Sequence, residues 1–275
     1  MGIKINIKKS INEIIGTVLT LFILIPFYLL LINSFKDKAG AAVMDLKLPE
    51  KWNIIANYSL LIKEGGIPRA FMNSVLISCI SVTGIVILSA MTAFIIQRRK
   101  SGMCQFINST VLAGMFLPTS MVPTYFIVKN LHLNAGYLGI SLVYIAASFP
   151  VAVFLFTGFY KSIPIEIDES ASLDGCGITR LFFNIIFPLI KPVTVTVLII
   201  SFMGVWNDFG ISIYFLNSPK KYTMVLTTFN YFGTHAADWN LVFADIVVIS
   251  LPVMVLYFAL QKYIVSGMTA GAVKG

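Results

Sequence analysis

The chain has 275 residues, of which 57% are hydrophobic and only 12% charged, with a mean hydropathy of +0.87. Soluble domains run at about 45–50% apolar and about 25% charged, so composition argues against one. The net charge of +8 is spread along the chain rather than gathered on one basic face, which argues against nucleic-acid binding.

The apolar residues fall in long continuous runs, and a helix needs roughly 20 of them to cross a bilayer core. Lipid offers the backbone no hydrogen-bond partners, so each crossing is a helix or part of a closed barrel. Barrel strands alternate apolar and polar residues, and these runs do not. An all-α, polytopic membrane protein of one transmembrane domain over 1–275 is predicted.

The first span is predicted at 14–32, after a basic start with Lys4, Lys8 and Lys9. That start, with Ala39-Gly40-Ala41 beyond it, resembles a cleaved signal. The apolar run is too long for one, and Lys36-Asp37-Lys38 separates it from the small residues, so an uncleaved span is expected. Further spans are predicted at 72–96, ending on Arg98-Arg99-Lys100, and at 106–128, holding Pro118 and Pro123. The fourth lies at 137–159 with Pro150, the fifth at 193–215 and the sixth at 241–260 with Pro252. Prolines within spans suit a bundle whose neighbours cover the freed carbonyls. The three cysteines, Cys79, Cys104 and Cys176, form no CxxC, so they read as small apolar filler rather than a disulfide or metal framework.

Lys and Arg divide almost evenly between the two sets of loops. The Arg98-Arg99-Lys100 cluster beside a short turn decides orientation, because short loops carry the positive-inside signal. Both termini are therefore expected in the cytoplasm. The long outer connection, 33–71, holds Pro49, Trp52 and Tyr58 and is expected to pack on the outer surface. The long inner connection, 161–191, with a tail over 262–275, faces the cytoplasm.

In that inner loop Pro164 suits the first turn of a helix. Glu166, Asp168 and Glu169 then crowd the positive end of its dipole. Gly175 and Gly177 are candidates for a positive φ that stops the helix. A second helix is predicted from Ile178 to Ile186, with Pro188 after it. Leu173, Leu181 and Phe182 would offer apolar anchors beside an acidic rim, a pattern suited to a helix laid in a groove of another protein. A solvated connector between spans would use the same caps and turn.

These residues resemble a known pattern. Glu169-Ser170-Ala171, Asp174-Gly175, Phe182, Ile185 and Pro188 look like the EAA loop of permeases of binding-protein-dependent ABC importers. Ser170 and Cys176 depart from it, each replacing Ala with another small residue. Phe71-Met72-Asn73-Ser74, Pro118, Pro123, Leu131-His132-Leu133-Asn134 and Trp206-Asn207-Asp208-Phe209 are similar to features of the sugar permeases. The tail Gly267–Gly275 resembles that of the smaller permease subunit of maltose-type transporters. The resemblance implies a six-helix, type I importer permease bundle.

It also implies partners: a second permease, two ATPase subunits, an extracytoplasmic sugar-binding protein, a carbohydrate substrate and the surrounding lipid of a bacterial or archaeal inner membrane. Glu169, Ser170, Ala171, Asp174, Gly175, Gly177 and Pro188 would form the ATPase-coupling element. Gly271 and Lys274 would reach the ATPases through the tail. The chain has no GxxxxGK[ST] and no Gly-Lys pair, so nucleotide would be bound by partners, and no cofactor, metal or catalytic residue is assigned.

Among the remaining polar residues, Asp208 lies well along the fifth span, where an ionisable group defaults to a functional reading. Trp206 could stack on a sugar, with Asn207 and Asp208 bonding its hydroxyls; alternatively the three mark the interfacial end of a helix. Ser74, Ser78 and Ser81 share one face of the second span and read as close helix packing. His132 and His235 have no partner at ligand spacing. Gly267 and Gly271 match a dimerisation spacing but lie beyond the last span. A secondary transporter would carry inverted repeats and midplane charges, and a membrane enzyme would carry clustered acids or histidines; neither pattern occurs. A permease for peptides, amino acids or phosphate-containing solutes shares the EAA loop and stays open.

Overall fold

The computed structural model describes residues 7–99, 101–117, 120–134, 136–231 and 237–272, without the side chains of 7–11, 260 and 262–272. Pro118, His235 and Lys274 lie outside the described residues. The described elements are helices, with no β-strand among them. Four are long and apolar enough to cross a bilayer, at Asn12–Ser34, Ile67–Arg98, Tyr137–Tyr160 and Trp239–Ala259. They belong to α1 (Ile7–Ser34), α4 (Ile67–Arg98), α7 (Tyr137–Tyr160) and α14 (Trp239–Ala272).

Two predicted spans are broken. In place of a single helix over 106–128 the chain forms α5 (Gly102–Gly114) and α6 (Met121–Asn130). At 13 and 10 residues, neither reaches the roughly 20 residues a straight crossing takes. Pro123 lies in the first turn of α6, where a missing N–H costs no intrahelical bond. The fifth span is interrupted at residues 207–209, between α11 (Lys191–Trp206) and α12 (Gly210–Phe215). By contrast, Pro150 is absorbed within an unbroken α7. The last helix also runs further than predicted, to Ala272, so the backbone of Gly271 belongs to α14 rather than to an irregular tail.

The chain divides into two compact units, one drawn from Met1–Pro68 and Thr227–Leu251, the other from Arg69–Leu226 and Pro252–Gly275. In the first, α1 leaves its apolar side chains from Ile14 to Tyr28 exposed, and only its end, at Ile32, Asn33 and Ser34, is buried. Polar bonds hold the segment after it. Asn57, on α3 (Ile54–Lys63), donates from Nδ2 to the carbonyls of Ser34 and Lys36, both at 2.9 Å. Its Oδ1 accepts from Asn240 at 2.8 Å. Lys36 is buried and donates to Asn33 Oδ1 at 2.9 Å and to Asp45 Oδ1 at 2.6 Å. Asp37 caps the short α2 (Lys38–Ala42) by accepting from Gly40 N at 2.8 Å. Asp245 of α14 is fully buried and accepts from Thr227 (3.0 Å) and Thr228 (2.9 Å), which pins the short α13 (Met224–Thr227) and the 3-10 turn after it.

The second unit has two apolar cores. One gathers Ile85, Ala90 and Phe94 of α4 with Phe156 and Tyr160 of α7, and Ile186, Ile190 and Val197 further along. The other joins Ile77, Ile140 and Tyr144 to Val205, Phe215 and Leu226. Lipid is as apolar as leucine, so close packing rather than water exclusion holds such cores, and small residues let backbones approach. Ser74, Ser78, Ser81 and Ser89 are all buried on α4, as the packing reading expects. At Gly139 a Cβ would lie 2.0 Å from the Leu133 carbonyl oxygen, so only glycine lets the loop after α6 press on the start of α7.

Candidate functional site

The loop 161–190 folds as an elbow of two helices on the second unit. The first, α8 (Glu166–Leu173), starts two residues later than Pro164 at its first position would suggest. The Ile165 carbonyl receives the N–H groups of Asp168 (2.9 Å) and Glu169 (3.2 Å), so Pro164 precedes the cap. Glu166, Asp168 and Glu169 occupy the first turn, as the dipole favours. The helix ends in a Schellman turn: Cys176 N donates to Ala171 O at 3.0 Å and Gly175 N to Ser172 O at 3.1 Å. Gly175 takes φ +75° at the position the turn requires. Gly177 does not share that role. Its φ is −68° and ψ 156°, extended geometry ahead of the next helix.

That helix runs as α9 (Ile178–Arg180), a wide π turn over Leu181–Ile186 and α10 (Phe187–Leu189). Pro188 lies within it rather than after it. Its ring crowds the carbonyl of Asn184 and it brings no N–H for that group, and the π turn just ahead is where the chain relieves the conflict. The segment then bends by 80° into α11.

The two faces of the elbow differ. Ala171, Leu181, Phe182, Ile186 and Ile190 point into the protein, and Phe182 packs 5.5 Å from Phe94, ring centre to ring centre. Leu181 and Phe182 are therefore internal anchors, not the partner-facing pair predicted. The outward face carries Glu166, Glu169, Ser170, Asp174, Gly177, Arg180 and exposed apolar side chains that include Leu173 (89% exposed), Ile178 and Phe183.

Arg98, the last residue of α4, clamps the elbow from beneath. Its Nε lies 2.7 Å from Asp168 Oδ2 as a close ion pair, and Nη2 donates to Oδ1 at 3.2 Å. The same guanidinium reaches the Ile163 carbonyl at 3.3 Å. Both side chains are mostly buried. The sequence marks Arg98 only as a topology charge. Its partner lies 70 residues away, and nothing local announces it.

At the break in the fifth span, Asp208 Oδ2 accepts from Ile211 N (2.9 Å), Ser212 N (3.0 Å) and the Tyr144 hydroxyl (2.8 Å). The carboxylate thus caps α12, whose first N–H groups the interruption would leave unpaired. Trp206 is 2% exposed, stacked at 5.3 Å on Phe202 and edge-on at 6.0 Å to Phe71, so its ring faces are taken by the chain itself. Asn207 is exposed beside it. Asn73 has a structural place too: Nδ2 donates to the carbonyls of Lys220 (3.1 Å) and Tyr222 (3.0 Å), and Oδ1 accepts from Tyr137 (2.9 Å).

Bilayer-length apolar helices joined by an elbow that turns outward define a multi-pass α-helical membrane protein. The whole of this architecture, residues 1–270, matches the family described as binding-protein-dependent transport system inner membrane component, and the chain belongs to that family. It is 33% identical to the probable starch degradation products transport system permease protein AmyC of Thermoanaerobacterium thermosulfurigenes, over 98% of this chain and 99% of that one. It is 35% identical to the melibiose/raffinose/stachyose import permease protein MelC of Bacillus subtilis, over 91% of each. A similarity of 31% to the multiple sugar-binding transport system permease protein MsmG of Streptococcus mutans covers 94% of each chain. Among solved structures, a chain of a bacterial ABC transporter involved in the import of the acidic polysaccharide alginate superposes with a TM-score of 0.81 over 96% of this chain and 98% of that one. At 18% identity, the likeness is one of fold.

Proposed function

We propose that the chain is a membrane-spanning permease subunit of a binding-protein-dependent ABC importer, forming half of the pathway for a sugar or oligosaccharide. The observation that carries the reading is similarity along nearly the whole chain to three permeases named for sugar substrates. In this reading α1, α4, α5 with α6, α7, α11 with α12, and α14 make six crossings, with both termini in the cytoplasm. A second permease completes the pore, an extracytoplasmic binding protein delivers the sugar, and two ATPase subunits bind and hydrolyse ATP.

The elbow is the proposed input for force. Glu169, Ser170, Asp174 and Leu173 present a short, exposed, acid-fronted ridge, while Ala171 and the Gly175 turn fix its shape. A motor can drive a pore only through a rigid element that both grip, and the Arg98–Asp168 clamp ties this one to the end of a 32-residue helix. Gly271 and Lys274 are kept as the tail contact. For the sugar pathway, Asn207 and the exposed rim of the break are favoured over Trp206, and Asp208 acts mainly as the cap that shapes the break.

The test is uptake of radiolabelled oligosaccharides in cells lacking this chain and complemented with it. Saturable uptake that needs both ATP and a binding protein supports the proposal. Uptake driven by an ion gradient, or restricted to peptides or amino acids, overturns it.

A further inference from the structure

We propose that residues 43–63, ending in α3, lie in the interfacial layer of the bilayer, with Ile55 and Ile62 set among the lipid chains just below the headgroups. The depth follows from hydrogen bonds. Asn57 donates to the carbonyls of Ser34 and Lys36, Tyr58 Oη pairs with Ser34 Oγ at 3.0 Å, and Trp52 stacks 6.1 Å from Phe35. Ser34 is the final residue of a bilayer-length span whose apolar side chains from Ile14 to Tyr28 are exposed within the chain. The start of α3 is therefore fastened at the bilayer boundary.

Its other end is followed closely by another span. Lys63 closes α3, and Ile67 opens the next bilayer-length helix. A 10-residue helix is about 15 Å long, and bonds to the end of one span together with a three-residue link to the next keep it near the membrane surface.

The side chains fit that layer. Asn57 and Leu61 are buried against the protein, whereas Ile55 is 86% exposed and Ile62 57%. Seven residues apart, the two isoleucines share one face, and Leu48 and Trp52 of the same segment are exposed as well. A water-facing helix turns polar residues outward, while an interfacial one turns aliphatic and tryptophan side chains into the lipid. The occupant is the bilayer because Asn57 and Tyr58 of the same short helix bond to Ser34, the last residue of a bilayer-length span. Which leaflet it enters rests on the proposed orientation; its burial there does not depend on the sugar reading.

The test uses the full chain with Cys79, Cys104 and Cys176 replaced by Ala, assembled with its transporter subunits in phosphatidylethanolamine–phosphatidylglycerol vesicles. Nitroxide labels go on Ile55→Cys, Ile62→Cys, Ala56→Cys and Lys63→Cys. Collision with oxygen relative to a water-soluble nickel chelate should be several-fold higher at 55 and 62 than at 56 and 63. Equal nickel access at all four sites means a water-facing loop and overturns the proposal. Exclusion of both reagents at 55 and 62 means a protein cover and overturns it equally. If the cysteine variants do not assemble, lipids brominated near the headgroup should quench the emission that Trp52→Phe removes, and an unquenched Trp52 component defeats the idea.

Discussion

Arg98 makes two contacts at once, a close ion pair to Asp168 and a hydrogen bond to the Ile163 carbonyl. Truncating one partner of a mostly buried pair leaves the other charge desolvated and costs about 3 kcal/mol. Arg98→Ala should therefore lower the melting temperature of the purified protein and reduce uptake, and Arg98→Lys should recover little, because a point charge cannot face both carboxylate oxygens. Asp208 gives a second test at this scale. Removing its carboxylate leaves two amide N–H groups without their acceptor, while the Tyr144 hydroxyl keeps Ser212 Oγ at 2.9 Å, so Asp208→Ala should cost about 1–2 kcal/mol. Asp208→Asn retains an acceptor and should keep uptake close to normal; loss of uptake in Asn with unchanged stability would return this residue to the sugar pathway. In the loop after α1, the hydrogen bond from Lys36 holds the Asp45 carboxyl below its usual range. A depressed folded-state pKa makes the contribution full at neutral pH and removes it as pH falls through the folded value. Limited proteolysis of residues 36–50 should accelerate below about pH 4, and less so in Lys36→Met, which lacks the bond at every pH.

At the scale of elements, the elbow separates shape from contact. At Gly175 a Cβ would meet nothing within 4 Å, so Gly175→Ala carries only the left-handed strain of about 1–2 kcal/mol. Gly175→Pro cannot take positive φ at all, and should abolish uptake while the chain still inserts in the membrane. Glu169 is exposed, so Glu169→Lys should lower melting only slightly, by reversing a charge at the positive end of α8, yet cut uptake by roughly 100-fold if the acid meets a basic group on the ATPase, since a like-charge contact at an interface costs several kcal/mol. Normal uptake in both Gly175→Pro and Glu169→Lys would remove the elbow from the mechanism. The interrupted helices follow the same logic: each break leaves backbone groups that lipid cannot serve, and at residues 207–209 the chain supplies Asp208 to serve them.

For the whole molecule, α1 presents a bilayer-length apolar helix whose side chains from Ile14 to Tyr28 are exposed within the chain, which demands lipid or another subunit over most of its length. A transporter assembled around this chain should co-purify with an ATPase, and Glu169→Lys should weaken that association without weakening the one with the second permease. Pull-down from solubilised membranes reads both. Loss of both associations together would mean the substitution acts on the fold rather than on a docking surface.

Membrane class, four of the spans and the position of the elbow were legible from residue order alone. Unbroken apolar runs have one outcome in lipid, and a first turn of acids followed by Gly175 dictates a local helix stop. The broken spans were not legible, because an apolar run reads the same whether or not a turn interrupts it. Nor were the inward turn of Leu181 and Phe182, the occupation of Trp206 by Phe71 and Phe202, or the clamp from Arg98. Each depends on which distant side chain fills a particular space, and only packing in three dimensions decides that.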